Sequence, residues 1–365
     1  KQIMSDLETR RLEIDQIDQE IQSLISQRAK LAKEIAKIKQ ESAEEDSSAP
    51  FFYRPEREAE VLRAVKKRND GALPADEMIR IFREIMSACL AAEQKTRVAT
   101  LGPQGTYTQT AALNHFGHSI DVVPQPSVED IFRAVEARNA DFGVVPVENS
   151  GEGMVGTTLD MLVTTPLNVC GEVELRVHHL LLGRGGDIES IGQVLAHSQA
   201  LGQCRLWLET HLPGVPVIAV SSNAEAARLA AEDQKLAAIA GETAAELYEL
   251  NTLAANIEDH PENTTRFLVI GETTPEPSGD DKTSLVFATQ DRPGALHHQL
   301  EILARNSVNM TRIESRPSKR GLWEYLFFID IEGHQSEELL SRVLSELHTE
   351  AAFFKMLGSY PRRVA

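Results

Sequence analysis

The feature that most constrains this chain is an uninterrupted helical pattern near its start. Residues 5 to 41 contain no glycine and no proline. Apolar side chains recur there at Leu7, Ile14, Ile17, Ile21, Leu24, Leu31, Ile35 and Ile38. This heptad spacing predicts one helix of about 55 Å, at a rise of about 1.5 Å per residue. Because a helix cannot cover its own apolar stripe, the pattern predicts that it packs against partners.

Arg28 interrupts the stripe at a position where the heptad spacing predicts Leu or Ile. Lys39 lies three turns further on nearly the same face, and Arg11 lies about 25 Å before Arg28 along the helix axis. A small anion cannot contact Arg11 and Arg28 of one straight helix, so a site that uses both needs an antiparallel partner helix and hence a dimer. The alternative is that Arg28 sets the register of a coiled coil, while Arg11 and Lys39 are solvated.

Two shorter helices are predicted after a polar break at residues 44 to 50. The first spans residues 56 to 68 and ends at an Asn-Asp-Gly turn. The second spans residues 75 to 95. Its apolar face consists of Met78, Ile81, Phe82, Ile85 and Cys89. Glu93, one turn beyond that face, is either a solvated helix end or part of a site. We therefore predict an all-α domain at residues 1 to 96.

Charge and composition exclude several classes of function. The 365 residues include 37 basic and 55 acidic side chains, a net charge of −18, and nearly all of this excess lies after residue 97. So acidic a surface repels nucleic acid. No stretch approaches the roughly eighteen consecutive apolar residues of a membrane span, which argues against a membrane protein. The three cysteines are widely spaced, form no metal-binding pattern and favour a cytoplasmic location.

Beyond residue 97, short strands alternate with helices, which is typical of an α/β domain with a mainly parallel sheet. Candidate strands lie at residues 98 to 101, 143 to 147, 194 to 196, 217 to 220, 237 to 240 and 267 to 271. A stretch containing Pro275, Pro277 and Gly279 follows and is predicted to be a linker. We place this domain at residues 97 to 274.

Three motifs of this domain could bind a ligand, although each is ambiguous alone. Residues 101 to 108 form a Gly-rich turn between a strand and a helix, where N–H groups can hold a carboxylate. Residues 145 to 150, Val-Pro-Val-Glu-Asn-Ser, end a strand, where α/β proteins bind ligands. Residues 263 to 267, Asn-Thr-Thr-Arg-Phe, enter the last strand, where Thr265 could be an ordinary strand residue. His197-Ser198-Gln199 and Gln203-Cys204 lie between these motifs.

The last segment, residues 282 to 360, has the order strand, helix, strand, strand, helix, strand. This βαββαβ order is typical of a ferredoxin-like fold, which serves many functions. Order alone therefore predicts the fold of the segment and not its role.

The helical domain resembles the all-α type of chorismate mutase, a three-helix dimer that binds a dicarboxylate among charged side chains. The substrate-binding residues that the resemblance implies are Arg11 from the partner chain, Arg28, Lys39, Arg57, Glu58, Cys89 and Glu93. The arginines would pair with the two carboxylates, Glu58 would hold the ring hydroxyl, and Lys39 and Glu93 would be the catalytic groups at the ether oxygen. This chemistry needs no nucleophile, because it requires only a held conformer and stabilised charge.

The sequence departs from the best-known pattern of that family at four places. Arg54 stands where Asp is often found, the loop before Arg57 is longer, and Cys89 and Glu93 replace Ser and Gln. A carboxylate beside an oxygen that becomes negative would repel it, so Glu93 must be protonated, with its pKa raised by burial. We therefore expect mutase activity to fall as the pH rises through this pKa.

The motifs of the middle domain, taken in order, resemble prephenate dehydratase, whose Thr-Arg-Phe triplet is here Thr265-Arg266-Phe267. The resemblance implies two α/β lobes like those of a periplasmic binding protein, a site in the cleft and no cofactor. Thr265 would be the catalytic residue that aids departure of the ring hydroxyl, with help from unidentified neighbours because a threonine is a poor acid. The implied contacts of the substrate are Thr106, Glu148, Asn149, Ser150, Ser198 and Arg266.

The last segment resembles an ACT domain, an amino-acid-sensing module. Its motifs Gly294-Ala295-Leu296 and Glu314-Ser315-Arg316-Pro317 match the phenylalanine-sensing versions. The implied allosteric residues are Gly294, Ala295, Leu296, Asn309, Glu314, Ser315 and Arg316. Phenylalanine at a dimer interface would inhibit by shifting a population of states. The alternative is an ordinary helix-start glycine and strand-end proline.

Together the three domains resemble the bacterial bifunctional chorismate mutase/prephenate dehydratases, or P-proteins. The resemblance implies conversion of chorismate to prephenate and then to phenylpyruvate, in a cytoplasmic homo-oligomer, dimer or tetramer, that needs no metal. The rival interpretation is a non-catalytic, amino-acid-responsive binding protein. That interpretation leaves the cations of the helical domain and the Thr265 triplet without a role.

Overall fold

The computed structural model describes residues 2–46, 53–290, 292–318 and 325–364. The helical domain comprises α1 (Gln2–Asp46), α2 (Pro55–Arg68) and α3 (Ala75–Ala91). Helix α1 extends into the predicted polar break, whose remaining residues lie outside the described ranges. Helix α3 ends earlier than predicted, because the N–H groups of Glu93 and Gln94 both turn back to the carbonyl of Leu90.

No other part of the described ranges covers the apolar stripe of α1. Ile21 and Leu24, for example, are 48% and 63% exposed, and the other members of the stripe are similarly open. Ala36 is buried where α1 meets α3. The stripe is thus a surface that a second helix can cover, as the heptad spacing predicts.

The middle domain has two lobes. The first contains β1 (Arg97–Leu101), α4 (Tyr107–Phe116), β2 (Asp121–Gln125), α5 (Val128–Glu136), β3 (Phe142–Asn149), β4 (Gly153–Met154), α6 (Gly156–Thr164) and β5 (Asn168–Arg176). The second contains β6 (Leu180–Gly183), β7 (Gln193–His197), α7 (Ser198–Gln203), α8 (Arg205–His211), β8 (Val217–Val220), α9 (Asn223–Ala230), β9 (Leu236–Ala240), α10 (Glu242–Leu247) and β10 (Asn251–Ala254). The chain then returns to the first lobe through β11 (Thr264–Gly271).

Both sheets are mixed, which corrects the prediction of a mainly parallel sheet. The strand orders are β2-β1-β3-β11-β5, with β4 beside β3, and β10-β6-β9-β7-β8. In the first sheet β1 is parallel to β2 and β3, but β11 is antiparallel to β3 and β5. The reason is the return from the second lobe, which brings β11 into the first sheet from the opposite end.

The C-terminal domain has the predicted βαββαβ order. Its elements are β12 (Asp281–Ala288), α11 (Ala295–Arg305), β13 (Met310–Pro317), β14 (Tyr325–Glu332), α12 (Glu338–Glu350) and β15 (Phe353–Pro361). The strands form one sheet in the order β13-β14-β12-β15. Val286, Phe328 and Leu357 of this sheet share a buried apolar cluster with Ile131 and Leu159 of the first lobe, so the two domains pack together.

The backbones of these two domains lie close together where β15 crosses β5. Gly358 has a φ of +151°, and a Cβ atom there would lie 2.2 Å from the carbonyl oxygen of Val169. Only glycine fits so close a backbone contact. The interface therefore fixes the sheet of the C-terminal domain against the first lobe.

Candidate active sites

The charged side chains predicted from the helical domain lie around one cavity of about 330 Å³. Helix α1 contributes Arg28 and Lys39, α2 contributes Arg57 and Glu58, and α3 leads to Cys89 and Glu93. Six of the seven residues predicted from the sequence of the helical domain thus line one cavity, although they come from three different elements. Such a concentration of cations suits a ligand with more than one carboxylate.

Glu93 has the electrostatic environment that the sequence predicts. Burial raises the pKa of its carboxyl group, and the positive charges of Lys39 and Arg28 offset part of that increase. A protonated Glu93 can donate a hydrogen bond into the cavity, and Lys39 can donate beside it.

Arg11, the seventh residue, is exposed on α1 and does not line this cavity. It stands on the same helix as the open apolar stripe. The distance of about 25 Å along the helix to Arg28 excludes a shared ligand within one chain, as the helical rise requires.

Two residues that sequence reasoning missed also line the cavity. Arg83 on α3 places its Nε 3.4 Å from Oε1 of Glu58, and Tyr53 lies beside Glu58 in the cavity wall, where it lowers the pKa of that carboxyl group. The signal for Arg83 was present in the sequence: it shares the i, i+3, i+7 row of α3 with Met86 and Leu90. A cation in such a row indicates a partner inside the bundle.

Thr265, the expected catalytic residue, lies at the start of β11 directly opposite Asn149 at the end of β3. Asn149 Nδ2 is 2.8 Å from Thr265 Oγ1 and 2.8 Å from Asn263 Oδ1. Two of the three motifs, which are separate in sequence, therefore meet through side-chain hydrogen bonds. Thr265 is half-buried, so its hydroxyl can still reach a ligand.

The direction of these hydrogen bonds is fixed by the backbone. The N–H groups of Gly151 and Glu152 donate to Asn149 Oδ1 at 2.9 and 3.0 Å. The amide nitrogen of Asn149 must therefore face Asn263 and Thr265 and donate to both. Because Thr265 Oγ1 accepts from Asn149, its own proton points elsewhere and is available to a ligand.

The network continues from the first lobe to the second. Asn263 Nδ2 donates to Gln203 Oε1 at 3.2 Å, and His179 Nε2 donates to the same oxygen at 2.8 Å. The Tyr107 hydroxyl lies 2.8 Å from His179 Nδ1. Burial lowers the pKa of His179, so the imidazole is neutral, with its proton on Nε2 and a lone pair toward Tyr107.

Thr106, Ser150 and Ser198 are the other residues predicted to contact the substrate of the dehydratase. The Thr106 hydroxyl donates to the carbonyl of Leu101 at 2.7 Å and caps α4. The Ser150 hydroxyl accepts from the N–H of Thr264 at 3.0 Å. Ser198 is the exposed first residue of α7. Thr106 and Ser150 thus have clear structural roles, and no contact of the Ser198 side chain speaks for or against ligand binding.

Arg266 and Glu148 correct the sequence-based assignment, because both face away from Thr265. Successive side chains of a strand point to opposite sides, and Arg266 and Glu148 are register partners next to the Thr265–Asn149 pair. The Arg266 guanidinium is buried, 2.8 Å from Glu172 and 2.8 Å from Asp330 of β14. Glu148 pairs at 2.8 Å with Arg312 of β13. These charges join the middle domain to the C-terminal domain.

The residues predicted to bind phenylalanine divide between two faces of β13 and the start of α11. Gly294 adopts a left-handed φ of +78° immediately before α11, which Ala295 and Leu296 begin. Asn309, before β13, and Ser315, within it, are exposed, whereas Glu314 is half-buried. Arg316 contacts the carbonyl of Gly156 and the carboxylate of Asp160 in the first lobe. It is an interdomain contact, which corrects its place among the ligand-binding residues.

Three further observations concern the whole described part of the chain. Within those ranges, no group of three or more His, Cys, Asp or Glu side chains is arranged to hold a metal ion. None of the helices described there is long and apolar enough to cross a membrane. Cys89, Cys170 and Cys204 are free and buried.

Three protein-family models match successive parts of the chain. They are chorismate mutase type II at residues 10–94, prephenate dehydratase at residues 98–275 and the ACT domain at residues 283–349. The fold and the sites thus define a class of protein: a multidomain enzyme with a helical mutase domain, a two-lobed dehydratase domain and an amino-acid-sensing domain.

Similar proteins identify the class more closely. A bifunctional chorismate mutase/prephenate dehydratase from Pseudomonas aeruginosa is 49% identical, over 98% of this chain and 98% of that protein. One from Neisseria gonorrhoeae is 51% identical, over 96% of each. This chain belongs to the family of bifunctional chorismate mutase/prephenate dehydratases. It is an enzyme with both activities, and the interpretation as a non-catalytic binding protein is excluded.

Solved structures match the middle and C-terminal domains. Prephenate dehydratase from Arthrobacter aurescens in complex with L-Phe is 36% identical, with a TM-score of 0.67, over 73% of this chain and 90% of that one. GqqA, described as a novel type of quorum quenching acylase, is 31% identical, with a TM-score of 0.67, over 73% of this chain and 98% of that one.

Proposed function

We propose that this chain rearranges chorismate to prephenate in the helical cavity and converts prephenate to phenylpyruvate in the cleft at Thr265. The observation that carries the proposal is the convergence of Arg28, Lys39, Glu58 and Glu93 on one cavity from three elements. We assign the mutase domain to residues 1–96, the dehydratase domain to residues 97–274 and the ACT domain to residues 282–360.

In the mutase site, Arg28 and Arg57 pair with substrate carboxylates, and the carboxylate of Glu58 accepts a hydrogen bond from the ring hydroxyl. These contacts hold the chair-like conformer in which the reacting carbons are close. One C–C bond then forms as the ether C–O bond breaks, and negative charge develops on the ether oxygen. Lys39 and protonated Glu93 donate to that oxygen and stabilise the charge. Cys89 lines the wall beside them.

The mutase site is completed by a second copy of the chain. The open apolar stripe of α1 supports an antiparallel helix pair, and such a pair places Arg11 of one protomer beside Arg28 of the other. A helix with this much exposed apolar surface is unstable alone in water. We therefore propose a homo-oligomer, a dimer or a tetramer, with a composite mutase site.

In the dehydratase site, Thr265 donates its proton to the ring hydroxyl of prephenate, which leaves as water. The ring carboxylate is lost as CO2, and the electrons of that C–C bond complete the aromatic ring. Thr265 then regains a proton from solvent. Asn149 assists because its N–H donates to a lone pair of Thr265 Oγ1, which leaves the Thr265 proton to point into the cleft. Aromatisation drives the step, so no cofactor is required.

We propose that phenylalanine inhibits the enzyme by binding at the ACT domain. Gly294, in its left-handed conformation, exposes backbone N–H groups of the α11 start to a carboxylate. Asn309 and Ser315 offer exposed polar side chains on the neighbouring strand region, and Ala295, Leu296 and Glu314 would complete the pocket. The L-Phe complex of the Arthrobacter aurescens relative supports this ligand. The three free cysteines favour a cytoplasmic location.

A chorismate assay on the full chain tests the proposal. Wild type, Arg28→Ala and Thr265→Ala are compared with and without millimolar phenylalanine, by the ultraviolet absorbance of chorismate and phenylpyruvate. Arg28→Ala should lose the mutase and retain the dehydratase, Thr265→Ala should accumulate prephenate, and phenylalanine should slow the wild type. Matched controls are Lys30→Ala, exposed on α1, and Thr252→Ala, exposed on β10. Normal turnover of both substrates in both test variants would contradict the site assignments.

A further inference from the structure

Glu58 lines the mutase cavity next to Tyr53, a residue that side chains of the dehydratase domain hold in place. The hydroxyl of Tyr53 is 3.1 Å from His115 Nε2 of α4, and Tyr53 lines the same two cavities as Glu58. Burial and the neighbouring Glu58 raise the pKa of Tyr53. The Tyr53 ring packs against Phe116 and Phe142 of the dehydratase domain, with ring centroids 4.9 and 5.4 Å apart. Tyr53 is thus buried between the two domains.

The protons of this chain of contacts can be arranged in one consistent way. Burial and the nearby cations lower the pKa of His115 to about 3, so its imidazole is neutral. Tyr53 has one proton, and an ionised Glu58 can only accept. The order that satisfies all three groups is donation from His115 Nε2–H to the Tyr53 oxygen, and from Tyr53 O–H to Glu58.

Arg83 approaches Glu58 from the third helix. Its Nε lies 3.4 Å from Glu58 Oε1, and only about a fifth of its side chain is exposed. Burial raises the pKa of Glu58, and the charge of Arg83 with the hydrogen bonding of Tyr53 and Arg83 offsets only part of that increase. The balance therefore depends on these two neighbours.

Other ionisable groups face Glu58 from the elements around it. Besides Tyr53, Arg83 and His115, the two cavities that Glu58 lines contain Arg28, Lys39, Arg54, Arg57, Cys89, Glu93, Cys170, Glu172, Arg362 and Arg363. Of all the ionisable groups in these two cavities, Tyr53 and Arg83 are the ones that lower the pKa of Glu58 through side-chain hydrogen bonding.

We infer that Tyr53 and Arg83 are positioning residues of the mutase: together they keep Glu58 ionised and aimed at the ring hydroxyl of chorismate, and His115 of the dehydratase domain fixes Tyr53. This inference rests on the placement of chorismate proposed above. It makes the mutase site dependent on a contact across the domain interface.

The test compares the pH dependence of mutase kcat/KM in Tyr53→Phe, Arg83→Gln and wild type, all as full chains. Tyr53→Phe keeps the ring that packs on Phe116 and removes only the hydroxyl. A hydrogen bond to a charged group contributes enough that we expect roughly a tenfold loss of kcat/KM near neutral pH. Because both variants raise the pKa of Glu58, the acidic limb of the profile should move to higher pH, and the loss relative to wild type should shrink as the pH rises.

Three controls separate the possible outcomes. Glu58→Gln should lose mutase activity, and adding Tyr53→Phe to it should cost little more, since the contact no longer has an ionised acceptor. Arg80→Gln, exposed on α3 and paired with Glu77, should match the wild type. Dehydratase activity on added prephenate, measured in each preparation, reports that the chain is folded and should stay at the wild-type level.

The results separate a failure of the proposed mutase site from a failure of the inference about Tyr53 and Arg83. Normal mutase activity in Glu58→Gln would contradict the proposed mutase site itself. An impaired Glu58→Gln variant, together with wild-type profiles in Tyr53→Phe and Arg83→Gln, would overturn this inference alone. Reduced activity in those two variants with an unmoved acidic limb would also overturn it, because the residues would then support the fold and not the charge of Glu58.

Discussion

The mutase cavity and the dehydratase cleft contrast in how they are built around related anionic substrates. The cavity is lined by ionisable side chains, such as Arg28, Lys39 and Glu93, from helices that are neighbours in sequence. The hydroxyl of Thr265 is instead held by a neutral network that begins at the amide of Asn149 and reaches His179. One reaction requires developing charge to be stabilised, whereas the other requires a proton to be directed. Ions suit the first task and oriented neutral dipoles suit the second.

The strongest way to break this contrast is to place a charge in the neutral network. Asn149→Asp keeps the acceptor for the N–H groups of Gly151 and Glu152 but cannot donate to Thr265. The Thr265 proton would then turn toward the carboxylate and away from the substrate. We expect dehydratase kcat to fall about 10²- to 10⁴-fold, the usual contribution of a positioned acid.

Phenylpyruvate formation from added prephenate measures this loss, and mutase activity in the same preparation should be unaffected. The same substitution at exposed Asn251 of β10 serves as the control. Wild-type dehydratase kcat in Asn149→Asp would show that the direction of the hydrogen bond is irrelevant.

The next prediction concerns the charges on the opposite side of the same strand. Arg266→Met leaves Asp330 without this partner and leaves Glu172 with Lys282. Removing one member of a buried ion pair typically costs about 3–5 kcal/mol of the free energy of unfolding. Because Arg266 faces the ACT domain, the KM for prephenate should not change in the folded enzyme.

Chemical denaturation measures the stability change. Arg138→Met, which breaks an exposed pair with Glu272, should cost at most about 1 kcal/mol. A large rise in KM with unchanged stability would return Arg266 to the substrate site.

The smallest predicted effect concerns the substitution Glu93→Gln, which places a neutral side chain at one position of the charged cavity. As the pH rises through the raised pKa of Glu93, its carboxyl group ionises and repels the developing charge on the ether oxygen. One unit above that pKa only about a tenth of Glu93 stays protonated, so mutase turnover should fall about tenfold. Glu93→Gln has no proton to lose, and its profile should be flat over this range.

Mutase kcat measured across the pH range, with dehydratase kcat as the internal reference, tests this. The same downward slope in wild type and Glu93→Gln would assign the pH dependence to another group.

The helical domain was well predicted because its evidence is local. A heptad stripe defines α1, and Arg28 is visible as a cation inside that stripe. The four other cavity side chains that the resemblance added on the shorter helices also fall at the cavity. Arg83 lies in an apolar row of α3, but it escaped notice because its partner, Glu58, is on another helix.

The dehydratase cleft was predicted less completely, because its groups meet only through the tertiary fold. Thr265 and Asn149 were identified, but the link from Gln203 to His179 depends on how the two lobes are placed. Arg266 and Glu148 were expected in the cleft, but in the structure they pair with Asp330 and Arg312 of the C-terminal domain. Strand alternation puts the neighbours of Thr265 and Asn149 on the opposite face, which the ACT domain covers.

Helix α4 has a consequence for what counts as a module in this protein. Near its start Tyr107 contacts His179 of the dehydratase network, and near its end His115 contacts Tyr53 beside the mutase cavity. The two contacts lie about 12 Å apart along one helix. A cut after residue 96 leaves the three mutase helices whole but removes His115 and Phe116, which lie against Tyr53. The segment that contains the three mutase helices and the set of residues that shapes the cavity between them are therefore not the same.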